Sequence, residues 1–248
     1  MEDEISDRSV LWRLTVLFAV YAGVSLLAGV SRMHPPLSHL APFGDVLRVR
    51  EALSMFVFAP ALCVLFWLIY KALGRGRTFW VVDVLMLLSV YFLACGMGIH
   101  DPTNRMENAY RATGSLTPEV HRSLVYLDDQ LGHWVFWAGF VLGSWVLGLQ
   151  QVLSPLKERM PWPWRIAFGV VAAALLWVML TNLWDEYPKT RQDLCVIAAA
   201  VLVPLLAHAV FFRRVGLLRL PVLAVIYPAY LGSIAGTLVC WLIRYGKV

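Results

Sequence analysis

Charge is scarce in this chain. Asp, Glu, Lys and Arg make up 15% of its 248 residues, whereas ordinary globular domains carry about 25%. Hydrophobic residues reach 60% and the mean hydropathy is +0.68, so a water-soluble domain is excluded. No basic stripe with interleaved aromatics is present. The Lys and Arg residues stand singly or in pairs between apolar runs, so nucleic acid is not expected as a partner despite the net charge of +5. Cys63, Cys95, Cys195 and Cys240 all lie in apolar runs without CxxC spacing. They are expected to be buried thiols that pack as small hydrophobes. The opening stretch, MEDEISD, is acidic and lacks the basic start of a cleavable signal, so the first apolar segment is expected to be retained. Internal repeats, low-complexity stretches and a second domain are also lacking.

What the sequence has instead is long apolar runs. Seven can be drawn, at about 11–31, 53–72, 79–100, 123–151, 165–183, 193–212 and 219–243. Each is near the roughly 20 residues that cross about 30 Å of hydrocarbon as a helix. The expectation is an all-α, multi-pass membrane protein, one bundle of about seven transmembrane helices spanning residues 1–248. Punctuation supports it. His34-Pro35-Pro36 breaks the chain after span one, Gly74-Arg75-Gly76-Arg77 turns after span two, and Trp162 and Trp164 suit the headgroup level before span five. Thr117-Pro118-Glu119 reads as a helix start, with N-cap threonine, proline at the first helical position and acid in the first turn. In span seven, Gly232 and Gly236 have the four-residue spacing that allows close helix contact.

Let side A be the face carrying the N-terminus. It holds 11 of the 21 Lys and Arg residues, in short, dense loops, and such loops carry most of the topology signal. The expected orientation is N-terminus cytoplasmic and C-terminus extracytoplasmic. Five of the six histidines (His34, His39, His100, His121 and His133) then share side B, leaving His208 toward side A as a packed, hydrogen-bonded residue.

The chemistry concentrates at the side-B ends of spans three and four. Span four opens with YLDDQLGH, residues 126–133, and the third connection reads GMGIHDPTNRMEN, residues 96–108. Asp129 and His133 are spaced i, i+4, which on a helix places them on one stripe. His100 and Asn104 have the same spacing if the helix survives Pro102. Gly96 and Gly98 remove side-chain bulk, so another backbone or a ligand can come close. Antiparallel packing of spans three and four brings His100 to the depth of Asp128, Asp129 and His133. Ionisable groups within a membrane are functional candidates by default. His100, Asp129 and His133 form a candidate zinc ligand set with an open position for water. Asp128 is the spare carboxylate for general base, and Asn104 positions substrate or water. Three readings are open: a catalytic metal site, ion or proton handling as in a transporter, and a buried polar network with Arg105, Arg111 and Arg122 in a structural subunit. Elsewhere, Asp83 is expected to pair with Arg75 or Arg77, and Trp134, Trp137 and Trp145 to pack as core or belt. Trp184-Asp185-Glu186-Tyr187-Pro188 is expected to be an interfacial anchor.

GMGIH followed by LDDQLGH resembles the alkaline ceramidase and progestin/adiponectin receptor superfamily of seven-helix intramembrane metal hydrolases. The resemblance covers about 40 residues. It implies a zinc site in which His100 matches the first histidine and Asp128 or Asp129 the aspartate. Span seven contains no histidine, so His133 would replace the pair that the family carries in its final helix. The activity implied is hydrolysis of a lipid amide or ester, with membrane lipids as surroundings and as substrate.

Overall fold

In a computed structural model the described residues are 6–33, 48–75, 79–114, 117–184 and 190–245. They form seven long helices: α1 (Asp7–Met33), α2 (Val49–Gly74), α3 (Trp80–Thr113), α4 (Pro118–Leu153), α5 (Trp162–Trp184), α6 (Thr190–Phe211) and α7 (Pro221–Tyr245). All seven contain a stretch long and apolar enough to span a bilayer, and no strand occurs among the described residues. The all-α, seven-helix expectation is met. His34, His39, Arg77 and the segment 185–189 lie outside the described residues.

Helix α4 begins where the sequence predicts, with the Thr117 hydroxyl accepting from Val120 N at 3.4 Å. Two wide turns interrupt regular geometry: Ser54–Phe58 in α2 and Tyr126–Gly132 in α4 are π-helical. Helix α3 continues through Pro102 and ends at Gly114, whose φ of 65° suits glycine. Proline removes one N–H from the ladder. Just beyond it, the Thr103 hydroxyl donates to the carbonyls of Ile99 and His100.

Helices α4 and α7 are the most buried spans. Fully buried Leu14, Ile69, Met86, Leu147, Phe168 and Leu223 form the core. Large apolar side chains such as Trp12, Leu87, Val170, Trp177, Leu206 and Ile243 are exposed, which gives the exterior the apolar character that lipid covers. Helices α3 and α4 form the closest pair, an antiparallel hairpin whose seam is cut by small residues. A Cβ on Gly96 would come 2.3 Å from Phe136 N, and one on Gly139 would come 2.6 Å from Leu93 N. Ser89 Oγ donates to Gly139 O at 2.7 Å. Gly232 and Gly236 meet Leu176 and Leu180 of α5, the close contact expected of their spacing.

Candidate functional site at the α3–α4 helix ends

His100 lies 20 residues into α3, a rise of about 30 Å, so it stands roughly one hydrocarbon thickness from the side-A end. Because α3 stays helical past Pro102, Asn104 falls one turn beyond His100 on the same stripe. Both reach Asp128 of α4. His100 Nδ1 is 2.5 Å from Asp128 Oδ1, and Asn104 Nδ2 donates to Asp128 Oδ2 at 2.9 Å. Asn108 Nδ2 in turn donates to Asn104 Oδ1 at 2.9 Å, which fixes the amide with its NH2 toward the acid. Asp128 is 1% exposed, so both of its oxygens are shielded from solvent. An ionised carboxylate only accepts. Against an ionised Asp128, Nδ1 of His100 can serve only as an N–H, and Nε2 is then the nitrogen able to take a proton.

His133 completes the group. Its ring stands edge-on to that of His100, with centroids 4.7 Å apart and planes at 83°. Gly132 makes room, since a Cβ there would sit 3.2 Å from His100 Cα. The side chain of His100 is 29% exposed while that of Asp128 is 2%, so an incoming molecule meets the imidazole and not the acid.

The two aspartates divide differently from the sequence expectation. Asp128 takes the inward position and Asp129 is exposed. The reason is the π-helical turn over Tyr126–Gly132. In an α-helix, five steps would put Asp128 about 140° around the axis from His133. A wider i→i+5 turn reduces that offset, so Asp128 faces α3 alongside His133. Regular i, i+4 geometry, the premise for pairing Asp129 with His133, does not hold across this segment.

A further pair was not legible. Trp137, one turn beyond His133, donates Nε1 to Asp193 of α6 at 2.7 Å. Asp193 is within electrostatic reach of His133. The spacing of 133 and 137 is visible in the sequence, but nothing there places α6 beside α4. Trp134 and Trp145 are exposed, as belt residues would be. On the other flank, Ser54 donates to the Asp101 carboxylate, and Glu51, 4% exposed, holds Arg50 at 2.8 Å. His121 lies two turns from Asp128, engaged with Arg111 at 2.9 Å and Glu107 at 3.2 Å.

Other expectations resolve individually. Asp83 pairs with Lys71 at 2.7 Å and accepts from Tyr70 Oη at 2.8 Å, while Arg75 pairs with Asp7 at 2.7 Å. The sequence expectation of Asp83 with Arg75 is therefore corrected. Lys71 extends from the last turn of α2 across to α3, and Arg75 turns away in a left-handed conformation with φ 52°. His208 bonds Val215 O at 2.8 Å, the packed role expected. Of the cysteines, Cys63 is buried and Cys195 is exposed, so burial does not extend to all four.

Among the described residues, no group of three or more His, Cys, Asp and Glu side chains is placed to hold a metal ion. Asp128 is shielded between His100 and Asn104, and Asp129 is exposed; His100 and His133 are the imidazoles of the group. The fold and site define an integral, multi-pass membrane protein with a carboxylate–imidazole pair and a second imidazole at one end of its helix bundle. No family model, curated protein or solved structure matches the chain.

Proposed function

We propose that the chain is an intramembrane hydrolase acting on a lipid amide or ester from the side-B leaflet, in keeping with the resemblance of GMGIH and LDDQLGH to the seven-helix metal hydrolases. The observation that carries this reading is the shielded Asp128 holding Nδ1 of a half-open His100, with His133 in contact. Asp128 orients the imidazole and stabilises its charged form. His100 Nε2 takes a proton from water as the water oxygen attacks the lipid carbonyl. His100 returns that proton to the departing amine or alkoxide as the C–N or C–O bond breaks, with the His133 ring in edge contact beside it. Asn104 keeps Asp128 aimed at His100.

Zinc is the ion this donor set would take, because metal-bound imidazoles are commonly held through their second nitrogen by a carboxylate. Its chemistry would be to acidify water and polarise the carbonyl. Two imidazoles fall short of the three protein ligands of a catalytic zinc, so the described residues do not by themselves complete such a site and no step is routed through the ion.

The test is fatty-acid release from ester- and amide-linked lipids by purified protein in proteoliposomes, with whole-metal analysis of the same sample. Turnover should vanish in His100→Ala and fall by about 10–100-fold in Asp128→Asn. A protein that releases no fatty acid from either lipid class, or variants that turn over normally, would overturn the reading. A second reading, proton or ion handling, is favoured by the buried Ser144–Tyr230 contact at 3.3 Å deeper along α4. Phe140, stacked on Tyr230 at 5.4 Å, interrupts that line. Proton flux in proteoliposomes without hydrolysis would select it.

A further inference from the structure

At the opposite, side-A end, the connection after α4 and the connection before α7 are tied together. Leu156 N donates to Arg219 O at 3.0 Å and Met160 N to Leu218 O at 2.8 Å. Leu156, Met160 and Leu220 are essentially fully buried, which anchors both strips of backbone in the core. Two arginines are spent on this frame. Arg219 Nε donates to Leu156 O at 2.6 Å, and Arg165 Nε donates to Met160 O at 2.7 Å.

Arg159, Arg213 and Arg214 are not spent. They are exposed and line, with Arg219 and Leu217, a cavity of about 530 Å³. The acids nearby are committed elsewhere or turned away. Asp7 binds Arg75 and the backbone of Glu158, and Glu158 itself is exposed. Among the described residues, no carboxylate lies within ion-pair distance of these three guanidinium groups. Leu217 in the lining is an exposed apolar side chain, and in sequence the exposed Trp162 follows Arg159 by three residues and the exposed Phe211 precedes Arg213 by two. Trp162 is a residue type that settles at the headgroup level.

We propose that this cavity binds the phosphate of an anionic phospholipid of the side-A leaflet. Guanidinium groups pair with phosphate oxygens in bidentate geometry, and three of them on a braced frame need little ordering on binding. Leu217 and the nearby Trp162 and Phe211 would lie against the acyl chains of the same lipid. Basic residues set only for topology would not need a common cavity or a hydrogen-bonded frame. A soluble phosphate would gain nothing from Trp162, Phe211 and Leu217, so a lipid is the better fit.

The test titrates phosphatidylglycerol into the detergent-solubilised full chain and reads bound lipid by native mass spectrometry, with phosphatidylcholine in parallel. Each arginine near an anionic lipid is worth roughly a factor of five. Arg159→Gln/Arg213→Gln/Arg214→Gln should therefore weaken phosphatidylglycerol binding about a hundredfold. Arg8→Gln/Arg13→Gln, which lowers charge on exposed α1 positions at the same end, should leave it unchanged. If the triple variant fails to fold, Arg213→Gln and Arg214→Gln singly should each weaken binding about fivefold. Equal binding of phosphatidylcholine, or an equal loss in the α1 variant, would overturn the proposal. Displacement by an equal concentration of inorganic phosphate would overturn it in favour of a soluble ligand.

Discussion

Asp128 Oδ1 and His100 Nδ1 lie 2.5 Å apart, joining a buried acid on one helix to a half-open imidazole on the next. Breaking this pair should be the most damaging single change at the site. Asp128→Asn keeps the shape but can donate to Nδ1 and so favours the wrong imidazole tautomer. Activity should fall by about 10–100-fold, the usual effect of losing a group that orients an imidazole. The exposed Asp129→Asn should stay within about twofold. Nitrogen chemical shifts of labelled His100 would report the tautomer independently, and an unchanged His100 spectrum in Asp128→Asn would contradict the contact.

Gly96 and Gly98 differ by two residues and should differ sharply in tolerance. A methyl at Gly96 meets the Phe136 backbone at 2.3 Å, whereas one at Gly98 meets nothing within 4 Å. Gly96→Ala should separate α3 from α4 and lower stability by about 1–3 kcal/mol. Gly98→Ala should leave the unfolding midpoint unchanged. Thermal unfolding in detergent compares the two, and equal midpoints would remove the close seam.

Trp137 and Asp193 bind α4 to α6 one turn below His133. Hydrogen bonds between membrane helices have coupling energies of about 0.6 kcal/mol, at most about 1.7. A double-mutant cycle of Trp137→Phe and Asp193→Ala should return a value in that range. Additive losses would mean that the contact is not made.

Arg75 occupies a left-handed position, φ 52°, and reaches Asp7 at 2.7 Å. Arg75→Ala loses the ion pair and keeps the unfavourable backbone. Arg75→Gly loses the pair but relieves the backbone, worth about 1–2 kcal/mol for a residue with a Cβ. The glycine variant should therefore be the more stable of the two by roughly that amount in denaturant titration. The reverse order would refute the left-handed turn.

Much of the fold was legible because membrane insertion is governed by local quantities. The length of an apolar run against bilayer thickness, the Thr117 cap and the Gly232/Gly236 spacing all sit within short stretches of chain. The sequence likewise brought His100, Asn104, Asp128 and His133 to one end of two neighbouring helices, since a short connection leaves antiparallel packing as the natural arrangement.

Which acid faces inward depended on the width of one helical turn, and a π-helical segment has no compositional mark in YLDDQLG. The choice of Lys71 over Arg75 for Asp83, and of Asp193 for Trp137, depended on how each helix rotates about its axis to pack its neighbours. Sequence alone determined the number of long helices and the approximate place of each, because hydrocarbon demands an apolar run of bilayer length; the continuation of α3 through Pro102 to Thr113 it left open. Tertiary structure alone decided the side-chain partners, because a partner is chosen by proximity across helices and not by position along the chain.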